Sequence, residues 1–193
     1  MLLTVYGINN IGKTTQCKML TEALQEKGFK AYHLKYPNYE IQPSGPYLYE
    51  VMRNHSQTIS EAELQMWMTI NRFQFEPELR KIISENDIVI AEDYTETAIA
   101  WGAAKGLDPQ WVETINQPLI KEDHSILIDG QRSTKSIEHG HIHENQDDLI
   151  QKVRTHYLQR ASLKNWHVIN RQERLEDTHN LILNHVLNIL NAQ

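Results

Sequence analysis

Residues 7–15 read Gly7-Ile8-Asn9-Asn10-Ile11-Gly12-Lys13-Thr14-Thr15, directly after the apolar, β-rich run Leu2-Leu3-Thr4-Val5-Tyr6. The spacing G-x-x-x-x-G-K-T between a strand and a helix is that of a phosphate-binding P-loop. Gly7 and Gly12 let the backbone turn so that successive N–H groups face phosphate oxygens. Lys13 adds a positive charge near the β- and γ-phosphates, and the Thr14 hydroxyl is a ligand for Mg²⁺. The helix that starts at Gly12 points its positive end at the same anion. Asn10, Ile11, Gly12, Lys13, Thr14 and Thr15 are therefore the expected ATP contacts.

Strand and helix patterns alternate along the chain. The first helix runs to about Lys27 and stops at Gly28, a natural residue to follow a helix end. Ala31–Tyr36 reads as a second strand closed by Pro37. Residues 37–46 hold three prolines and read as a loop, and Tyr47–Arg53 as a short helix. Ser60 and Glu63 form a capping box for a helix through Arg72 and on to Phe75. Pro77 predicts a fresh helical start over Glu78–Glu85. Ile88–Ala91 is a buried strand ending in Glu92-Asp93. Helices are expected over Thr95–Lys105 and Asp108–Leu119, and a fourth strand over Ser125–Ile128, ending in Asp129. Residues 130–146 are polar and read as a lid. Asp147–Lys164 is a helix, Trp166–Ile169 a fifth strand and Leu175–Leu190 a closing helix. Five short apolar strands separated by helices imply an α/β fold with a parallel sheet covered on both faces. Ligands in such sheets bind beyond the carboxyl ends of the strands. The P-loop, Pro37, Glu92-Asp93 and Asp129 all follow strand ends and are expected to converge.

The 193 residues suffice for one domain, and neither repeat nor linker divides residues 1–193. A hydrophobic share of 40% and a charged share of 23% are ordinary for a globular protein. The net charge of −6 offers no broad basic face, so a nucleic-acid partner is not expected. No apolar run reaches membrane-spanning length and the N-terminus reads as a strand rather than a signal peptide, so no membrane partner is expected. The single cysteine, Cys17, cannot form an internal disulfide, which points to a reducing, cytoplasmic setting.

The order of several short motifs resembles the thymidylate kinases, a family of P-loop nucleoside monophosphate kinases. The resemblance rests on Gly7–Gln16, Tyr36-Pro37, Asn71-Arg72-Phe73, the run Glu92-Asp93-Tyr94 through Trp101, and Lys105–Asp108. It continues with Leu127–Asp129, Val153–Leu158 and Trp166–Asn170. It implies a five-stranded parallel sheet and transfer of the γ-phosphate of Mg·ATP to dTMP, giving dTDP. It also implies a homodimer. Arg72 matches the family arginine that reaches the acceptor phosphate and base. Tyr36 and Pro37 match the aromatic-Pro pair at the acceptor site. Met68 stands near the position of an aromatic that stacks on the base, and Trp67 beside it is a second candidate. Tyr94, Thr97 and Trp101 belong to the segment that closes over the base. Arg132, with Lys135, stands in the lid that clamps the transferring phosphoryl group. Arg154 matches a position near the nucleotide.

The chain departs from the family pattern at three places. It reads Glu92-Asp93-Tyr94 where the family has Asp-Arg-aromatic, so an acceptor-site arginine is absent. Asn38-Tyr39 stands where a second arginine usually follows the aromatic-Pro pair. Asn9 replaces an acid that meets the acceptor's 3′-hydroxyl, and can still accept that hydrogen bond. Glu92 and Asp93 then need roles. Glu92 is a candidate Mg²⁺ ligand, directly or through water, and in a deoxynucleoside kinase a Glu at this place would be the base toward a sugar hydroxyl. A deoxynucleoside kinase is thus one alternative, and a non-catalytic nucleotide-binding module another. The lid run His139-Gly140-His141-Ile142-His143-Glu144 has a spacing that a transition metal could use, but polar contacts or caps at the entry of the next helix are the ordinary role of such a run in a nucleotide lid.

Overall fold

The structure is a computed structural model that describes residues 1–53, 58–131 and 143–192. Arg132, Lys135, His139 and His141 lie outside the described residues. The chain forms β1 (Leu2–Tyr6), α1 (Lys13–Glu26), β2 (Ala31–Lys35), α2 (Ser44–Arg53), α3 (Glu61–Glu85) and β3 (Ile88–Glu92). There follow α4 (Thr95–Ala104), α5 (Pro109–Asn116), β4 (His124–Asp129), α6 (His143–Lys164), β5 (His167–Asn170) and α7 (Leu175–Leu190). The five strands make one sheet in the order β2-β3-β1-β4-β5, with every neighbouring pair parallel. β1 and β3 are buried along their whole length, as central strands covered on both faces must be, whereas the edge strands β2 and β5 alternate or open to solvent. The main core joins these strands to Leu20 and Leu24 of α1, Leu79 and Ile82 of α3, Val153 and Tyr157 of α6 and Ile182 and Val186 of α7.

Several boundaries differ from the sequence pattern. The expected break at Pro77 is absent, and α3 is one helix of 25 residues with the proline inside it. Pro77 cannot donate the bond toward the Phe73 carbonyl. Phe75, Leu79 and Ile82, on both sides of it, are buried against the sheet, and that packing holds the helix in register across the missing bond. α2 begins at Ser44, inside the expected loop, because Ser44 is fully buried and its hydroxyl meets Asn71 Nδ2 at 2.9 Å. α5 ends at Asn116, just before Pro118, and α6 starts at His143 rather than Asp147. The Ser60 cap is made as expected, with its hydroxyl accepting from Glu63 N at 3.1 Å.

Strand register positions the functional loops. Val5 lies opposite Glu92, and Lys35 lies opposite the same residue from the other side. Tyr6 lies opposite Leu127, which brings Asp129 beside the loop that follows β1. The carboxyl ends of β1, β2 and β3 therefore open together onto one cleft.

Candidate active site

That cleft has a volume of about 850 Å³. Its floor is the loop between β1 and α1. Gly7 has φ 153°, and a Cβ there would lie 2.8 Å from the Ile128 carbonyl oxygen, so only glycine lets the loop pack against β4. Gly12 has φ 106° and caps α1, whose first turn carries no acidic residue to oppose an incoming anion. The Lys13 ammonium is nearly buried. It donates to the Gly7 and Ile8 carbonyls at 2.8 and 3.2 Å and lies 3.7 Å from Asp93 Oδ2. Lys13 is thus folded back over its own loop, held by contacts that a phosphate can replace.

Behind the loop stands a charged knot centred on Glu92. Its Oε1 accepts from the Thr14 hydroxyl at 2.6 Å and from Lys35 Nζ at 2.7 Å, and the Lys35 ammonium also donates to Thr14 Oγ1 at 3.1 Å. The other carboxylate oxygen is buried, with His33 Nε2 3.6 Å away, just beyond hydrogen-bond reach. Burial works to raise the Glu92 carboxyl, but His33, Lys35 and Thr14 together outweigh it and hold the group at about 2. Glu92 is an anion at neutral pH. Asp93 is the reverse case, because burial pushes its carboxyl up while Lys13 and the Thr97 hydroxyl pull it down. Asp93 sits in the left-handed region at φ 61°, an uncommon backbone state for a residue other than glycine. Thr97 donates to Asp93 Oδ1 at 2.9 Å and is itself held at 3.0 Å by the Tyr157 hydroxyl.

The opposite wall comes from α3. Arg72 is 4% exposed, with Nη1 on Asn116 Oδ1 at 3.2 Å and Nη2 on the Tyr94 carbonyl at 2.9 Å. Its Nε has no partner, and no carboxylate pairs with it among the described residues. Burial lowers the pKa, while the Tyr94, Tyr36 and Tyr6 hydroxyls and the Asp93 carboxylate act against it from beyond hydrogen-bond distance; a guanidinium keeps its charge, so the cleft contains a desolvated cation that no carboxylate touches among the described residues. The neighbouring Asn71 clamps the loop after β2: Oδ1 accepts from Asn38 N at 2.8 Å, and Nδ2 donates to Asn38 O at 2.7 Å. That loop presents Pro37 to the cleft through a cis Tyr36-Pro37 bond. Tyr36 is buried against Phe75 and Tyr94.

Of the residues singled out in the sequence, Asn9, Asn10, Gly12, Lys13, Thr14, Thr15, Tyr36, Pro37, Met68, Arg72, Glu92, Asp93, Thr97 and Trp101 line this one cleft. Ile11 and Tyr94 stand behind the wall: the Ile11 side chain is core, and Tyr94 contributes its carbonyl to Arg72. Trp67 packs on Tyr47 at 4.6 Å between ring centres. Arg154 does not line the cleft and makes a two-pronged pair with Asp129 at 2.6 and 2.8 Å, which holds that carboxyl low. Arg132 lies outside the described residues, and so does most of the lid histidine run.

Lys35, Glu61 and Gln65 also line the cleft and carry no motif, and Lys105, the first residue of the Lys105–Asp108 run, lines it paired with Glu61. Lys105 Nζ lies 2.7 Å from Glu61 Oε2, and Gln65 Nε2 donates to Glu61 Oε1 at 2.7 Å. Lys35 carried a signal in the sequence, a cation at the end of a strand that stops at a proline. The Glu61–Lys105 pair carried none, since 44 residues separate its members.

A family model described as thymidylate kinase matches residues 5–182. A putative thymidylate kinase of Invertebrate iridescent virus 6 is 27% identical over 172 residues, covering 88% of this chain and 80% of its own. A probable thymidylate kinase of Methanocaldococcus jannaschii is 24% identical, covering 98% of this chain and 97% of its own. Among solved structures, thymidylate kinase from Ehrlichia chaffeensis superposes with a TM-score of 0.75 at 20% identity, with 98% of each chain covered, and supports the fold.

Proposed function

Because the chain belongs to the thymidylate kinase family, we propose that it transfers the γ-phosphate of ATP to dTMP, making dTDP, with the cleft above β1, β2 and β3 as its active site. The observation that carries this reading is the buried, unpaired Arg72 guanidinium facing the P-loop across one cleft. A buried cation that no carboxylate touches is costly to keep, and an acceptor phosphate is a group that would pair with it.

The chain's own residues then divide the work. The N–H groups of the P-loop and the start of α1 hold the β- and γ-phosphates of ATP, and Lys13 leaves its backbone carbonyls to meet the transferring group. Arg72 draws in the acceptor phosphate, Met68 and Trp101 face the base, and Asn9 accepts from the sugar hydroxyl. Arg132 is assigned to the transferring phosphoryl group. Catalysis is positioning and charge neutralisation, since the acceptor oxygen is already anionic and needs no base.

Magnesium fits the oxygen donors present: the Thr14 hydroxyl and the Glu92 carboxylate lie 2.6 Å apart, and Glu92 is held ionised at about 2. Those two residues would hold it, and it would supply neutralisation of the β- and γ-phosphate oxygens. With Glu92 and Thr14 assigned to the metal, the Glu92 carboxylate is not free to act as base toward a sugar hydroxyl, which weighs against a deoxynucleoside kinase. A coupled assay for ADP release tests the choice. dTMP is expected to drive turnover and thymidine to leave it at background; turnover with thymidine alone would reverse the assignment.

Met66, Ile70 and Phe73 form an exposed apolar stripe along α3, at helical spacing, and a second copy of the chain is its proposed cover. Sedimentation of Ile70→Asp against the unaltered chain tests this; a monomer in both would refute it. No helix among the described residues is long and apolar enough to cross a membrane. The buried free thiol of Cys17 accords with a cytoplasmic protein.

A further inference from the structure

Lys35 is the last residue of β2, and strand register sets it directly opposite Glu92. Its ammonium lies 2.7 Å from Glu92 Oε1 and 3.1 Å from Thr14 Oγ1. Those are the same two oxygens that suit a magnesium ion. The lysine therefore fills, with one positive charge, the place where a divalent cation would sit. Two polar contacts hold the ammonium there, but its side chain is 53% exposed, so solvent can take up the charge if a stronger cation displaces it. An ammonium and a dication repel strongly at contact distance, so the arrival of the metal must expel the lysine.

The cleft gives the expelled charge a destination. Among the described residues Arg72 is the buried cation of the acceptor side, and the Asp93 carboxylate lies 3.7 Å from Lys13. An incoming phosphate monoester carries close to two negative charges and needs more than Arg72 alone. Lys35, Pro37, Arg72 and the P-loop all line the one cleft, so a lysine released from Glu92 stays within the site that receives the acceptor. We propose that Lys35 is a shuttling cation: it holds the metal position in the nucleotide-free protein and moves onto the acceptor phosphate once the metal displaces it. This rests on the reading of the cleft as a dTMP kinase site. It makes metal loading and acceptor binding mutually reinforcing, because the first frees the cation that the second uses.

The test compares the unaltered chain with Lys35→Met, which keeps the length of the stem and removes the charge. Mn²⁺ titrated in the absence of nucleotide, with the free ion read by electron paramagnetic resonance, is expected to bind the variant about tenfold more tightly. Calorimetric dTMP affinity is expected to fall about tenfold in the variant when Mg·ADP is present, and to change by less than about twofold when it is absent. Unchanged Mn²⁺ affinity would overturn the placeholder role. An equal loss of dTMP affinity with and without Mg·ADP would overturn the movement. The Mn²⁺ titration involves no acceptor, so it judges Lys35 even if dTMP proves not to be the substrate.

Discussion

Replacing Arg72 by Met removes the charge and keeps most of the side-chain volume. In the folded chain two of the five guanidinium N–H groups are committed, to Asn116 and to the Tyr94 carbonyl. The remaining three have no protein acceptor among the described residues; Nε is buried, so an acceptor entering from the cleft is expected to meet the terminal nitrogens first. One charge-assisted hydrogen bond contributes about 1.5–3 kcal/mol, which is roughly 10–150-fold in affinity. The loss is expected in kcat/KM for dTMP, with KM for ATP changed by less than about threefold, because the hydrogen bonds of Arg72 run to Asn116 and the Tyr94 carbonyl and not to the P-loop. Stability should move little. Removing an unpaired buried charge is favourable, while leaving the Asn116 and Tyr94 oxygens without a donor costs about 1–3 kcal/mol. Thermal shifts give a second readout. Added at 100 times its dissociation constant, dTMP stabilises the unaltered chain by about 2.7 kcal/mol, or roughly 5–11 °C in a chain of this size. At the same concentration the variant should gain about 1.4 kcal/mol or less. Equal losses for ATP and dTMP, or an undiminished dTMP shift, would refute the placement of Arg72 on the acceptor.

Other perturbations test other parts of the account. Lys13→Ala is expected to lower kcat by about 10³-fold or more, and a variant that keeps most of its turnover in a coupled assay would remove Lys13 from the chemistry. Leu79→Ala empties a fully buried position just past Pro77 on α3 and is expected to cost about 2–5 kcal/mol in denaturant titrations; a loss below about 1 kcal/mol would mean that this half of α3 is not packed as described. Burial, with His167 stacked at 3.6 Å and His124 nearby, holds His185 down at about 4. The unfolded chain takes up that proton near pH 6.5, so the contribution of His185 to stability is full above pH 6.5 and is lost as the pH falls toward 4. The drop in Tm between pH 7 and pH 5 should therefore be smaller in His185→Gln, and an equal or larger drop would contradict the depressed value.

The sequence made the donor side legible and left much of the acceptor side hidden. Gly7, Gly12, Lys13 and Thr14 act through local backbone geometry, which a short motif records. The same holds for Leu175–Leu190, whose helix has the expected bounds. Pro77 misled because its cost is local, whereas the packing of Phe75, Leu79 and Ile82 that offsets it comes from β-strands elsewhere in the chain. Lys35, Glu92 and Thr14 meet through strand register, and Arg72 is tied to Asn116 across 44 residues. Such contacts leave no spacing to read. Arg154 looked like a nucleotide contact by position, and its partner Asp129 emerged only from the way α6 lies against β4.

Phosphorus NMR of the purified chain with Mg·ATP and dTMP reads phosphoryl transfer to the acceptor itself. Appearance of the paired α and β resonances of dTDP, matched by conversion of ATP to ADP, is the expected result. Persistence of the single dTMP resonance, with thymidine instead converted to dTMP in a parallel sample, would contradict it.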